Sequence, residues 1–540
     1  MSTRILLLAS AATAALLSPA LADDAAIEKR LDAMQRMIDA QQRQIESQKS
    51  EITSLKHALS RKGVKVAPDT QTASAALPVP AATQTAQAPV QDQIDALNAR
   101  VEATETRAKL AKQDMPVWSL AGGRPSVTSA DGRFSAAIRA IMQYDMAYYM
   151  QSGSARQLAP ANGPDLSSGA NFRRLQLGLQ GKLFGDWSYF FNYDFAGSGG
   201  TETPGHIQAA YIQYDGLAPF AFRIGAFPAS AGLEDNTASP DTIFLERNSP
   251  SDIARNIAGG DGRDAASVIY AGDRIYGALS YTGNKIGDSG AFDEQQALLG
   301  RLSGLLFSND DTKIVLSANG TYVFKTQDTS PLKTSSGTIS LSDPPELTVD
   351  NSGTKLISTG TLNGNHVWEW GLEGAAQWQS LYAQAGYFGY GVDLRASPIS
   401  YNFDGWYAQG TWVITGESRV YSTASGAFTN PRPREAFSFE GGGWGAWELA
   451  ARYSDTNLND NAGVIGSPIP LDGLRGGEQK IWTVGLNWYP NAALKFELQF
   501  QNVDVDRIGT IPAGFGHGVL SNVQIGQTFN TLALRSQVSF

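Results

Sequence analysis

The sequence predicts an all-β fold: a 16-stranded antiparallel transmembrane β-barrel behind an N-terminal α-helical coiled coil. Three features predict it. Apolar and polar residues alternate with period two from Phe134 to Phe540, the period is seven over residues 23–62, and the first 22 residues have the form of an export signal. Composition agrees with that class. Charged residues make up 17% of the chain, against roughly 25% in an average soluble domain, while glycine reaches 56 residues and aromatics 10%. Such a chain suits a wall that faces lipid on one side and water on the other.

The elements follow in order. Arg4 gives a positive start, Ile5 to Leu17 an apolar run, and Ala20-Leu21-Ala22 a small-residue cleavage site before Asp23, the pattern of a secretory signal over residues 1–22. That run falls short of the about 20 apolar residues that span a bilayer. Over residues 23–62, Leu31, Ile38, Ile45, Ile52 and Leu59 stand seven apart, and Ile27, Met34, Gln41, Gln48 and Leu55 form a second row. These heptads predict a coiled-coil stalk and allow a trimer or a dimer. Residues 63–90 are rich in proline, alanine and threonine and read as an extended linker. Ile94, Leu97 and Val101 mark a short helical segment within 91–120.

The barrel is expected over 121–540. Phe134, Ile138, Met142, Met146 and Tyr148 alternate with Arg139, Gln143 and Asp145; Leu175, Leu177 and Leu179 alternate with Arg174, Gln176 and Gln180; then Phe184-Gly185-Asp186 turns the chain into Trp187, Tyr189, Phe191 and Tyr193. In a strand this puts one row on an apolar face and the other on a polar one. Sixteen segments have this character: 134–148, 171–183, 187–196, 206–215, 220–227, 264–272, 274–283, 294–306, 312–324, 366–379, 380–393, 404–416, 444–455, 478–489, 492–504 and 528–540. They are longer than the five or six residues of an ordinary strand, and aromatics gather at their ends, as in a lipid-facing band between interfacial girdles. Long connections (151–170, 228–263, 325–365, 456–477, 505–527) alternate with tight turns such as Asp273 and Pro490-Asn491. Residues 417–443 break that alternation, being long on the short-turn side; either a pair of strands is miscounted or the segment folds into the lumen. An even count lets the sheet close, and sixteen strands leave an aqueous passage where eight would be filled by side chains. The alternating C-terminal strand ends in Phe540, the usual outer-membrane assembly signal.

Charge and motifs exclude other classes. There is no cysteine, which removes disulfides and thiolate metal sites, and the four histidines are scattered singly. A net charge of −10 argues against nucleic acid. Residues 23–120 hold 13 basic and 13 acidic residues, so, Arg4 aside, 28 basic and 39 acidic residues belong to the last 420. No nucleophile elbow, Walker loop or paired-histidine spacing appears, and Gly441-Gly442-Gly443 and Arg475-Gly476-Gly477 read as turns. Neither a catalytic site, a cofactor nor a metal is expected. Parity directs Arg139, Arg174, Lys182, Arg223, Arg301, Lys313, Arg452, Lys495 and Arg535 inward, with Asp145, Asp194, Glu448 and Glu497; such charges set ion preference unless they neutralise one another across the wall. The 228–263 loop is acid-rich, contains no lysine, and at 36 residues is long enough to enter the barrel and narrow it.

Several segments resemble one family. Phe172-Arg173-Arg174, Arg223-Ile224-Gly225-Ala226-Phe227, Gly232-Leu233-Glu234, Glu246-Arg247, Pro345-Glu346-Leu347, Thr415 to Tyr421, Gly445 to Ser454 and Val484 to Tyr489 occur in the order found in the phosphate-selective porin O and P family, across about residues 130–540. The resemblance implies a sixteen-stranded homotrimeric outer-membrane porin with a periplasmic coiled coil. It implies that 228–263, 325–365 and 417–443 fold inward, and that Arg174, Arg223, Arg247, Arg419 and Arg452 belong to an arginine ladder that draws phosphate through. The family's constriction lysines have no counterpart in 228–263, and Ser342, Pro344 and Thr348 stand near 345–347 where arginines are expected. The function expected is therefore an outer-membrane channel for passive diffusion of small hydrophilic solutes, anion- or phosphate-preferring; the acidic balance leaves a non-selective or cation-preferring general porin open. The alternatives are a structural tether whose stalk contacts the cell wall, and an enzyme barrel with catalytic groups at the lipid boundary.

Overall fold

The computed structural model describes residues 99–540 except 101, 104–114, 152–164, 197–204, 287–292, 329–336, 351 and 512–517. The chain divides into two units, 1–99 and 100–540. The expected signal, stalk and linker lie outside the described residues. Val117–Ser119, at the end of the expected 91–120 helical segment, is instead a short strand, paired with Ser126–Thr128.

Sixteen long strands form one antiparallel barrel, one for each segment read from the sequence. They are β1 (Ser135–Met150), β2 (Gly169–Leu183), β3 (Trp187–Asp194), β4 (His206–Leu217), β5 (Phe220–Ala226), β6 (Arg263–Ala271), β7 (Ile275–Lys285) and β8 (Gln296–Ser308). The other half is β9 (Thr312–Lys325), β10 (Leu362–Trp378), β11 (Leu381–Leu394), β12 (Ser400–Val413), β13 (Ala446–Asp460), β14 (Leu474–Tyr489), β15 (Leu494–Asp506) and β16 (Thr528–Ser539). β16 pairs with β1 from Asn530↔Met150 to Ser539↔Ile141, which closes the sheet and leaves no edge in lipid. β14 starts earlier than expected, because Arg475-Gly476-Gly477 lies within the strand beside a bulge at Asn457/Asn459 rather than in a turn.

Alternation does what a wall between lipid and water requires. On β8, Leu298, Leu302 and Leu306 are exposed on the outside, while Leu299, Arg301 and Ser303 are buried inside. Outward aromatics stand near the two ends of the strands: Trp187, Phe220, Trp378 and Trp412 at the short turns, Tyr148, Phe195 and Tyr322 at the other end. On the outer face, Trp368 and Trp370 of β10 lie across Gly391 and Gly389 of β11, their register partners. A Cβ at Gly389 would stand 2.6 Å from the Trp370 indole nitrogen, so the ring fits only over glycine.

Three segments fold inward, as the resemblance implied. The connection after β5 carries α1 (Leu233–Asn236), a 3-10 turn (Ser239–Asp241) and α2 (Ser249–Ala258). Asn248 caps α2, its Oδ1 accepting the Ser251 N–H at 2.9 Å, and Pro250 occupies the first turn, where its missing N–H costs nothing. Ile253, Ala254 and Ile257 of α2 bury against Val323, Val367 and Tyr390 of the wall and against Leu347 and Val349 of the 325–365 segment. The 417–443 segment forms a hairpin, Arg419–Ser422 with Ala427–Pro431, that also enters the lumen, which accounts for its length on the short-turn side. Asn430 Nδ2 donates to Pro240 O at 2.8 Å and Asn236 Nδ2 to Ser425 O at 2.9 Å, so this hairpin and the β5–β6 connection brace each other.

Candidate functional site

An inward charge that meets an inward-folded segment is sealed by it. Arg535 of β16 holds Asp145 of β1 through two hydrogen bonds of 2.6 Å and donates to Leu245 O. Arg452 of β13 is paired with Glu346, and its Nη1 donates to Glu246 O at 2.9 Å. Arg419 of the hairpin grips Glu448 of β13 at 2.9 and 3.0 Å. Lys495 lies 2.7 Å from Glu497 and donates to Thr242 O. Arg301 donates to the carbonyls of Ser425 and Gly426, each at 2.8 Å. All these groups are buried. Each pair takes charge out of water on the side of the lumen that the segments fill, where only good hydrogen-bond geometry offsets desolvation. At the far wall, Glu373 of β10 accepts the Leu233 and Glu234 N–H groups that open α1, and the Tyr407 hydroxyl donates to it at 2.6 Å.

The remaining space lies along β1–β7. A cavity of about 590 Å³ opens on the long-loop side, lined among others by Arg173, Arg174, His206, Lys285, Asp343 and Lys355. A second of about 270 Å³ lies toward the short turns, lined among others by Arg139, Gln208, Tyr211, Arg223 and Phe227. Arg247, Arg255 and Asp261 line both. At this waist Arg255 of α2 bridges Asp235 at 2.7 Å and Asp261 at 2.6 Å, while Gln208 of β4 donates to Asp261 at 3.0 Å. Arg247 is 3.9 Å from Asp235 and donates to Thr237 O. Burial pushes the Asp261 carboxyl up, but Arg255, Arg174 and Arg247 outweigh it and hold the group well below the usual carboxylate range. Glu246 behaves alike: burial raises it, and Arg173, Arg174 and Arg535 bring it far below the ordinary value. The nearby Asp343 goes the other way, raised by burial and by the facing Asp252 carboxylate.

A bulge supplies part of this site. Gln143 pairs with Arg174 and Tyr144 with Phe172, so Arg173 is the extra residue, and both arginines point inward. Arg174 Nη1 donates to Gln143 Oε1 at 2.8 Å; Arg173 Nε is 2.5 Å from Glu246 Oε1.

Of the residues expected to line the pore, Arg139, Arg174, Arg223 and Arg247 line the two cavities. Arg301, Arg452, Arg535 and Glu448 face inward as parity requires but line neither cavity, because the inward segments cover them; Arg419, named by the resemblance, lies on the inward hairpin itself and is buried against Glu448. Strict alternation missed Arg173, since a bulge breaks parity; the adjacent pair Arg173-Arg174 was the only sign of it. Arg255, Asp235 and Asp261 were legible only as members of a charge-rich loop.

The family model described as phosphate-selective porin O and P matches residues 146–529. The chain belongs to that family. It is thus a porin, a channel-forming barrel of the outer membrane. Porin O of Pseudomonas aeruginosa is 25% identical over 403 residues, covering 72% of this chain and 86% of that protein. An uncharacterized protein of Caulobacter vibrioides is 30% identical over 156 residues, 29% of this chain and 28% of its own. Among solved structures, an anion-selective porin from Comamonas acidovorans aligns with a TM-score of 0.43 at 11% identity, covering 75% of this chain and all 100% of that one. OmpT of Vibrio cholerae aligns at 0.43 with 8% identity, covering 76% and 98%.

Proposed function

We propose that this porin is a passive, anion-preferring channel for small hydrophilic solutes, assembled as a homotrimer with its N-terminal coiled coil in the periplasm. Solute follows the β1–β7 wall, past Arg174, Arg247 and Arg255 at the waist. The supporting observation is the charge balance along that route. The smaller cavity is lined by four arginines and only two aspartates, and both aspartates are engaged by Arg255. Elsewhere in the lumen Asp145, Glu346, Glu448 and Glu497 are each paired with a cation, and in the larger cavity Glu246, Asp252, Asp261, Asp343 and Glu346 stand among Arg173, Arg174, Arg247, Arg255, Lys285 and Lys355. A low-dielectric passage lined by unbalanced arginine lowers the barrier for anions. Phosphate, the solute in the family's name, is a candidate; the absence of lysine from 228–263 makes guanidiniums the cationic side chains that loop offers it at the waist.

Reconstituted protein in a tenfold KCl gradient is expected to give a reversal potential on the chloride side. Arg223→Glu, which replaces one of the surplus charges, shifts that potential toward potassium. A wild-type reversal potential on the potassium side would contradict the anion assignment.

A further inference from the structure

Arg139 and Arg223, the surplus charges of the smaller cavity, are held by rings instead of carboxylates. The Arg223 guanidinium carbon lies 4.3 Å from the Tyr211 ring centre and 5.2 Å from that of Phe227, and its Nε donates to Gln213 Oε1 at 2.7 Å. Arg139 lies 5.6 Å from the Phe190 ring centre. Phe190 and Tyr211, register partners on β3 and β4, stack with centres 5.3 Å apart and planes 18° from parallel. Along the wall the order is therefore guanidinium, ring, ring, guanidinium. Among the described residues, neither arginine has a carboxylate within ion-pair distance. Asp241, which acts on Arg139 through space, does not line the cavity; its carboxylate accepts the Asn430 N–H at 3.2 Å.

A π face fixes a guanidinium in place without neutralising it. The N–H edge of each group then stays available for an incoming oxyanion, which it can grip through two parallel hydrogen bonds. The same cavity offers apolar surface: Phe227, Ile269 and Tyr276 line it beside the two arginines. Its volume, about 270 Å³, is that of a site for one small molecule.

We propose that this row is a binding station for small organic carboxylates with an aromatic or apolar body, the carboxylate meeting Arg139 or Arg223 and the body lying against Phe227, Ile269 and Tyr276. Phe190 and Tyr211 are positioning residues, acting through the arginines they hold. The proposal deepens the anion reading given above and rests on it. It places the discriminating contacts at the short-turn end of the passage, where the charge surplus is, and not at the waist, where Arg255 is fully engaged.

The test is current block in planar bilayers by benzoate, acetate and inorganic phosphate, each added to wild-type channels in KCl. Benzoate is expected to half-block at a concentration about tenfold or more below acetate and phosphate, since its ring gains apolar contact that they cannot make. Arg139→Gln with Arg223→Gln should remove that advantage. Arg223→Lys keeps the charge but loses the flat stacking, so chloride preference should persist while the benzoate advantage falls, a separation that mere misfolding would not produce. If wild-type channels prefer chloride but benzoate blocks no better than acetate, or if the double variant keeps the advantage, the station is refuted while the anion reading stands. If wild-type channels prefer potassium, the anion reading itself fails.

Discussion

Arg452→Ala should cost about 3–5 kcal/mol in the packing of the inward segments, the usual penalty for leaving one partner of a buried ion pair alone. Arg452 is almost fully buried and joins three pieces of chain: it sits on β13, pairs with Glu346 of the 325–365 segment and donates to Glu246 O of the β5–β6 connection. Its guanidinium also lies over the Phe244 ring at 4.6 Å. Without it, the Glu346 carboxylate retains the Ser249 N–H and the Ser454 hydroxyl but no positive charge. Barrel closure does not depend on this group, so the strands should persist while the segments loosen. Limited proteolysis in detergent should cut within 325–365 in Arg452→Ala and spare the wild type. Replacing both partners with apolar residues, Arg452→Met with Glu346→Leu, should recover most of the loss, because removing the pair also removes its desolvation cost. Equal damage in the single and double variants would show that packing of the long side chain, rather than the unpaired charge, holds the segments.

Glu246→Ala should produce the largest change in conductance. This carboxylate is set between Arg173 of the β2 bulge and Arg535 of β16, at 2.5 and 3.4 Å, and Thr348 of the neighbouring segment donates to it at 3.1 Å. Removing it leaves two buried guanidiniums facing each other without their shared counter-charge; Arg535 still has Asp145. The penalty is again about 3–5 kcal/mol. The cheapest relief is for the β5–β6 connection to withdraw from the wall and admit water. Single-channel recordings should then show a larger and noisier conductance than the wild type. An unchanged, quiet conductance would mean that the connection's other holds, its apolar face, Glu373 and the bonds its carbonyls accept from Arg452, Lys495 and Arg535, keep it in place without Glu246.

The barrel was legible from the sequence because its cause is local. Leu298, Leu302 and Leu306 face lipid for the same reason that Arg301 and Ser303 do not, and period-two alternation records that choice residue by residue. All sixteen strands follow from it. What alternation cannot record is what stands opposite an inward side chain. Arg139 and Arg452 have the same parity and the same residue type, yet one lines a cavity and the other is sealed, because Glu346 arrives from a loop more than a hundred residues away. Arg173 was hidden for a different reason: a single bulge shifts the phase, and nothing in the residue types announces which of two adjacent arginines is the extra one. The aromatic row under Arg139 and Arg223 joins β1, β3, β4 and β5, so it exists only once the register of those strands is set.

We propose that solute passes along the β1–β7 side of the lumen while the inward segments close the other side. The chain contains no cysteine, so a single introduced thiol reports on one position alone. Gln208→Cys on β4 places it in the smaller cavity, and Ser303→Cys on β8 places it beneath the 417–443 hairpin, against Gly426. A negatively charged methanethiosulfonate reagent added to open channels should modify Gln208→Cys and reduce its current, and leave Ser303→Cys unmodified with its current unchanged. Rapid modification of Ser303→Cys, or no modification of Gln208→Cys, would place the passage elsewhere and contradict the account.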